Sequence, residues 1–177
     1  MNIAVIGATG TLGRALMKIP GTIECPIRFE DSKLYKKWFA ENQNIDTVWH
    51  VGRACRKTGV RRDYCTFFLE TNAMKDLLTS RASECVFVYA SSKIVYGLGG
   101  LSKNPKDHMP ADNVSKYFTS GKLGVFNCPI EHTNSKIDID NLDSQRTIYA
   151  LTKLFNENLV KSHCRQYKIL RIWDIVP

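Results

Sequence analysis

Three glycines near the N-terminus constrain the fold of this chain more than any other feature. They occupy positions 7, 10 and 13 in GATGTLG, directly after the apolar run at residues 2–6. An apolar run bounded by glycine predicts a buried strand, and the pattern after it predicts a helix from residue 11 to about 18. Glycines allow a close approach to a pyrophosphate, which the free amides of a helix N-terminus stabilise. The spacing therefore predicts a dinucleotide-binding turn, with an ordinary strand-to-helix turn as the alternative.

Strand and helix patterns keep alternating along the chain. Strands are predicted at residues 22–29, 47–51, 85–90 and 169–172, and helices at 32–41, 64 to about 80 and 147–167. Ser32 is the expected N-cap of the helix at 32–41. Such alternation predicts parallel β-α-β units with right-handed crossovers. The expected fold is α/β, a Rossmann-like doubly wound parallel sheet forming one domain over residues 1–177.

Residues 98–146 interrupt this regularity. The stretch mixes polar residues and short apolar pieces with the breakers Gly99, Gly100, Pro105, Pro110 and Pro129. We expect it to be an insertion ahead of the last helix, forming either a flap over a substrate or a surface for a partner.

The net charge limits the kinds of molecule that this chain is expected to bind. Lys and Arg number 25 against 17 Asp and Glu, and the net charge of +8 suits phosphorylated cofactors, nucleotide-linked substrates or nucleic acid. Nucleic acid is the least favoured, because no recognised nucleic-acid motif accompanies the charge.

The six cysteines form no C-x-x-C pair and no metal-ligand spacing with the four histidines. This pattern favours free thiols in a cytoplasmic protein without metal. A signal-peptide pattern and a membrane-length apolar run are both missing.

Two further segments carry a specific resemblance. Residues 86–97, VFVYASSKIVYG, place Ser92 just ahead of a V-Y-G triplet. In YALTK, Tyr149 and Lys153 are four residues apart and so share one helical face. Together with the glycine turn and the final LRIWDIVP, these segments resemble the extended short-chain dehydrogenase/reductase superfamily. That superfamily contains NAD-dependent nucleotide-sugar epimerases, dehydratases and reductases.

The resemblance implies roles for individual residues. Tyr149 would act as acid and base, Lys153 would favour its phenolate form, and Ser92 would hydrogen-bond the substrate oxygen. Asn72, in ETNAMKDLL, resembles the family's T-N beside the cofactor and joins this catalytic set. The implied cofactor contacts are Gly7, Thr9, Gly10, Thr11, Leu12, Gly13, Asp31, Tyr149 and Lys153. Taken alone, the Tyr-Lys pair is more typical of a solvated pair whose ring covers the core.

The acid that would bind the adenosine ribose is ambiguous. Glu24, Glu30 and Asp31 are the candidates. Residues 27–50 resemble the family's third strand and following helix, which would leave an abbreviated second strand and an acid beside the adenine. Alternatively, Glu30 and Asp31 simply open the helix at Ser32. The implied cofactor is therefore NAD or NADP, with the choice open.

The chain also departs from the family pattern. Lys93 and Ile94 stand where dehydratases carry an acidic pair, so dehydration is disfavoured. Arg53 follows Gly52 where the family has a second small residue, and it would either crowd the cofactor or bind a substrate diphosphate with Arg56 and Arg61. A solvated basic loop is an equally good interpretation of these arginines.

Two functional hypotheses follow. The first is an NAD(P)-dependent oxidoreductase or epimerase that acts on a nucleotide-linked sugar through Ser92, Tyr149 and Lys153. The second is a truncated, non-catalytic relative that binds dinucleotide or a protein partner, because the family's substrate-binding segment lies beyond the point matched by LRIWDIVP. The resemblance also implies a homodimer that forms through two helices of each subunit, one of them the Y-x-x-x-K helix. No membrane association is expected.

Overall fold

The structure is a computed structural model, and it describes residues 2–53, 64–92 and 144–172. The described strands are β1 (Ile3–Ile6), β2 (Thr22–Cys25), β3 (Thr47–His50), β4 (Val86–Ser92) and β5 (Tyr167–Ile172). The described α-helices are α1 (Thr11–Leu16), α2 (Tyr35–Glu41), α3 (Tyr64–Leu78) and α4 (Ser144–His163), with 3₁₀ helices at Phe29–Leu34 and Arg81–Glu84. The predicted insertion at 98–146 lies outside the described residues except for 144–146, which begin α4.

All five described strands form one parallel sheet in the order β2-β1-β3-β4-β5. The chain moves from β1 to β2 on one side and then crosses to β3 on the other. The carboxyl ends of β1 and β3 therefore flank a topological switch point, where open α/β sheets bind their ligands. The predicted α/β fold with a doubly wound parallel sheet is confirmed.

Helices cover both faces of the sheet. Alternate residues of β1 point to opposite sides, so Ala4 and Ile6 join one buried cluster and Ile3 and Val5 the other. The larger cluster packs against α2, α3 and α4, and the smaller one against α1. No α-helix within the described ranges has the length and apolar character needed to cross a membrane.

The segment after β2 corrects the sequence interpretation. The strand predicted at 22–29 ends at Cys25, because Pro26 has no N–H to donate to the ladder. Residues 26–46 contain no strand, so the family-like third strand expected there is absent. Ser32 is not an N-cap, since it lies inside the first 3₁₀ helix and its hydroxyl donates to Asp76 Oδ2 of α3 at 2.6 Å.

The last helix differs from its prediction in its bounds. It spans Ser144–His163 rather than 147–167. It ends earlier because Tyr167 already pairs with Phe87 as the first residue of β5. The connection between the two elements is therefore only three residues long, Cys164 to Gln166.

Candidate functional site

The turn after β1 depends on contacts that only glycine allows. Gly7 has a φ of 90°, and a Cβ on it would lie 2.4 Å from Cα of Gly52 beyond the end of β3. A Cβ on Gly13 would lie 2.1 Å from the Gly7 carbonyl oxygen. Gly7 and Gly13 are thus required for β1, α1 and the end of β3 to come together.

Gly10 has a different role, because the protein's own packing does not require it. A Cβ on Gly10 would lie 3.5 Å from the Gly7 carbonyl oxygen, an ordinary contact distance. Gly10 precedes α1, whose N-terminus has no side-chain cap and no acidic residue in its first turn. The absence of a side chain here leaves the amide end of α1 accessible to an anion.

A cleft of about 410 Å³ opens at the switch point. It is lined by residues 6–9 of the glycine turn, residues 24–30 after β2, and Gly52 and Arg53. Glu24, Arg28, Glu30 and Arg53 bring charge to this cleft, and all four side chains are exposed. The cleft thus connects the glycine turn with the carboxyl end of β2.

Only some of the residues predicted to contact the cofactor line this cleft. Gly7 and Thr9 line it, as do the candidate acids Glu24 and Glu30. Asp31 is exposed in the first 3₁₀ helix and is not among the lining residues. In α1, Thr11 is exposed and Leu12 is half-buried in the smaller core cluster.

Lys153 and Tyr149 meet at the carboxyl end of β4. Lys153 is only 4% exposed, and its Nζ donates to the carbonyl oxygen of Ala90 at 2.8 Å. The same nitrogen lies 4.8 Å from the ring centre of Tyr89 and 5.6 Å from that of Tyr149. A buried ammonium is costly without such partners, so its position is well defined.

The remaining predicted residues are spread more widely. Ser92 is the last residue of β4 and is half-buried, and Asn72 is exposed on α3. Arg56, Arg61, Lys93 and Ile94 lie outside the described residues. Cys25, Cys85 and Cys164 are free and buried.

His50 is a site residue that the sequence interpretation missed. Its ring stacks on Phe29 with centroids 5.7 Å apart and meets the Tyr89 ring edge-on at 5.5 Å. Burial, reinforced by the charge of Lys153, lowers the pKa of His50 to about 3, so the ring is neutral. Because Phe29 lines the cleft and Tyr89 lies under Lys153, His50 connects the two parts of the site. A histidine ending an apolar strand was the available signal.

A largely buried ionic cluster, which the sequence interpretation also missed, lies one turn beyond Lys153. Glu157 is 0% exposed and accepts a hydrogen bond from the Ser91 hydroxyl at 2.5 Å. Arg171 of β5 donates to Glu157 twice, from Nε to Oε1 at 3.0 Å and from Nη2 to Oε2 at 2.7 Å. These three residues, called here the Glu157 clamp, join α4 to β4 and β5.

A parallel doubly wound sheet with a glycine turn at its switch point defines a Rossmann-type α/β domain. The sequence matches no protein-family model and no curated protein. Solved structures do match. GDP-mannoheptose C4 reductase from Campylobacter jejuni, solved with NADP bound, aligns with a TM-score of 0.63 at 13% identity over 98% of this chain and 48% of its own.

Two further structures extend this comparison. A short-chain dehydrogenase/reductase superfamily protein from Agrobacterium tumefaciens with bound NAD has a TM-score of 0.54 at 24% identity, covering 97% of this chain and 48% of its own. UDP-glucose 4-epimerase from Thermotoga maritima, solved with UDP-glucose, has a TM-score of 0.58 at 14% identity, covering 97% and 55%. This chain spans about half the length of these structures. The resemblance to the extended short-chain dehydrogenase/reductases is confirmed at the level of fold.

Proposed function

We propose that this chain is the cofactor-binding part of an NAD(P)-dependent oxidoreductase or epimerase that acts on a nucleotide-linked sugar. The observation that carries the proposal is the buried ammonium of Lys153, held at the end of β4 and 5.6 Å from the ring centre of Tyr149. A structural lysine would ordinarily extend its ammonium into water. A buried lysine next to a phenol, at the carboxyl ends of the strands where an α/β sheet binds its ligands, is typical of a site for acid-base chemistry.

The residues at the switch point fit a dinucleotide. Gly10 leaves the N-terminus of α1 open to a pyrophosphate, and the neighbouring cleft extends from residues 6–9 of the glycine turn to the segment after β2. Arg28 and Arg53, both exposed at the cleft, supply positive charge for cofactor phosphates. A nicotinamide bound here would supply the acceptor or donor of the hydride. Both NAD and NADP suit these residues, and the solved neighbours include structures with each.

The protein's own groups would move the proton. Tyr149 removes a proton from a sugar hydroxyl or returns it, and the nearby charge of Lys153 stabilises the phenolate. Ser92, at the end of β4, hydrogen-bonds the same sugar oxygen. The Ala90 carbonyl and the Tyr89 ring hold Lys153 in place for this role.

The substrate class, homodimer and cytoplasmic location stay predictions within this proposal. Nucleotide-linked sugars are the class handled by several solved neighbours. The homodimer is supported by two exposed aromatic side chains on adjacent helices, Phe68 of α3 at 58% exposure and Phe155 of α4 at 48%.

Titration of the 177-residue chain with NADH and NADPH, followed by nicotinamide fluorescence, tests the first part of the proposal. We expect saturable binding of at least one of them. Turnover is then measured with UDP-, GDP- and dTDP-hexoses and the cofactor that binds. Tyr149→Phe should lower kcat about 10²–10⁴-fold with little change in cofactor affinity, because it removes only the ionisable hydroxyl.

Tyr167→Phe is the matched control, since Tyr167 is an exposed tyrosine at the start of β5. It should retain wild-type turnover. Binding of neither cofactor would contradict the whole proposal. Binding without turnover of any hexose would leave a dinucleotide-binding domain and remove the catalytic part, as would unchanged turnover in Tyr149→Phe.

A further inference from the structure

We infer that Glu157 is a positioning residue, which holds the Tyr149-Lys153 face of α4 against the carboxyl end of β4 through the Glu157 clamp. The inference rests on the proposed function for the catalytic meaning of that face. The geometry of the clamp itself does not depend on it.

The first support is the spacing of the contacts along α4. Tyr149, Lys153 and Glu157 follow each other at intervals of four and form one stripe on the helix. Lys153 binds the carbonyl of Ala90, and Glu157 binds the hydroxyl of the next residue, Ser91. Two successive turns of α4 are therefore attached to two successive residues of β4. A slip of the helix by one turn, about 5.4 Å, would break both attachments.

The second support is the register between β4 and β5. Ser91 and Arg171 are direct partners in the parallel pairing of these strands. Both side chains reach the same carboxylate, which lies on a different element. The next register pair, Ser92 and Ile172, contains the proposed catalytic serine. The clamp thus fixes α4 against the sheet one residue before Ser92.

The third support is the energetic cost of the arrangement. Glu157 is fully buried and the Arg171 side chain is 18% exposed, so the pair is largely removed from water. Replacing such a pair with well-packed apolar residues often leaves the stability unchanged or raises it. Other inward positions of α4, such as Leu154 and Val160, are apolar and buried. A bidentate guanidinium-carboxylate pair instead provides direction, because its two hydrogen bonds define one relative orientation. A role in geometry therefore explains the clamp better than a role in stability.

A variant of the Glu157 clamp without its charges distinguishes a role in geometry from a role in stability. The double variant Glu157→Leu/Arg171→Met replaces the pair with apolar side chains, and we expect it to retain the wild-type denaturation midpoint. Glu157→Gln keeps the hydrogen-bonding shape without the charge. Asn158→Ala, an exposed position next to Glu157, is the matched control.

The first readout needs neither substrate nor cofactor. Acetic anhydride labels lysine amines, and mass spectrometry measures the rate at each site. Lys153 should react slowly in the wild type and at least tenfold faster in the double variant, with Glu157→Gln in between. Lys33, whose side chain is 88% exposed, should react equally in all variants.

The second readout is turnover, measured if the wild type is active on a nucleotide-linked hexose. We expect kcat of the double variant to fall about 10²-fold, the usual effect of a displacement near 1 Å, with KM and cofactor affinity within twofold of wild type. A purely structural clamp would move none of these quantities in a variant that stays folded.

The outcomes distinguish the inference from the proposed function. Unchanged Lys153 labelling in a folded double variant overturns the inference even if the wild type is an active enzyme. Faster labelling in a protein that turns over no hexose supports the positioning and contradicts the catalytic proposal. If the double variant does not fold, Ser91→Ala removes one attachment only. It should then raise Lys153 labelling to a smaller extent, and no change would again overturn the inference.

Discussion

His50 illustrates how one residue acquires its properties from its neighbours. Its imidazole is 4% exposed, packed between the rings of Phe29 and Tyr89, and Nδ1 has no hydrogen-bond partner within the described residues. Protonation would place a second buried cation near Lys153. Desolvation and this repulsion act in the same direction, and together they hold the ring neutral.

The lowered pKa of His50 predicts a loss of stability at acid pH. The unfolded chain binds a proton at His50 near pH 6.5, whereas the folded protein resists it until about pH 3. The unfolded state therefore holds more protons across this window, and the unfolding free energy falls by about 1.4 kcal/mol per pH unit as the pH decreases. Urea unfolding from pH 7.5 downwards should show a shallower slope in His50→Phe, which keeps the ring stacking but cannot be protonated.

Asn158→Ala provides the control, because Asn158 is exposed on α4 and the substitution changes no ionisable group. Its pH slope should match that of the wild type. Identical slopes in His50→Phe and wild type would refute the assignment of acid sensitivity to His50.

At the scale of elements, the β1-turn-α1 unit depends on close backbone contacts that only glycine allows. Gly13 is buried in the first helix against the carbonyl oxygen of Gly7, and Gly7 lies against Gly52. Three elements therefore meet through backbone atoms. Only two of the three glycines in GATGTLG are needed for this, and the third leaves space for a ligand.

Alanine substitutions should separate these roles. Gly13→Ala places a Cβ 2.1 Å from a backbone oxygen, which no side-chain rotation can relieve, and should lower the unfolding free energy by at least ~2 kcal/mol. Gly10→Ala adds only an ordinary 3.5 Å contact and should leave the stability nearly unchanged. Its NADPH or NADH affinity should nevertheless fall more than tenfold, because the Cβ obstructs the approach of a pyrophosphate.

Denaturant unfolding and cofactor fluorescence measure the two effects separately. Equal destabilisation by both substitutions would contradict the packing argument. Unchanged cofactor affinity in a stable Gly10→Ala protein would contradict the assignment of the glycine turn to the pyrophosphate.

Over the whole molecule, burial decreases from the middle of the sheet to its edges. All four residues of β1 are buried, as are five of the seven residues of β4. In β2 only Cys25 is buried, and in β5 no residue is fully buried. Opening the central strands would expose both core clusters, whereas an edge strand can separate at smaller cost.

Native-state hydrogen exchange should follow this gradient. We expect the amides of Val5, Val48 and Val88 to exchange only on global unfolding, and those of Ile23 and Leu170 to exchange faster through local opening. The amides are compared under conditions in which each exchange rate is proportional to the equilibrium constant for opening. Equal protection in β2, β5 and β1 would indicate that the edges are covered more completely than the described residues show.

Local patterns accounted for much of the architecture. The apolar strand before Gly7, the alternation of strands and helices, and the four-residue spacing of Tyr149 and Lys153 depend on near neighbours in sequence. Periodicity and turn chemistry are sufficient to predict such features. The fold class and a candidate dinucleotide turn could therefore be inferred before any coordinates.

Only the tertiary structure decided how distant residues meet. Ser32 bonds an aspartate 44 positions away instead of capping its helix, and Ser91 reaches a glutamate 66 positions away. Arg171 becomes the partner of Ser91 only because β5 pairs with β4 in one particular register. No local periodicity encodes such pairings, since they depend on the strand order and on which charges the core can bury. The sequence by itself thus determined the turn and the helical stripe, and the assembled sheet determined what holds that stripe in place.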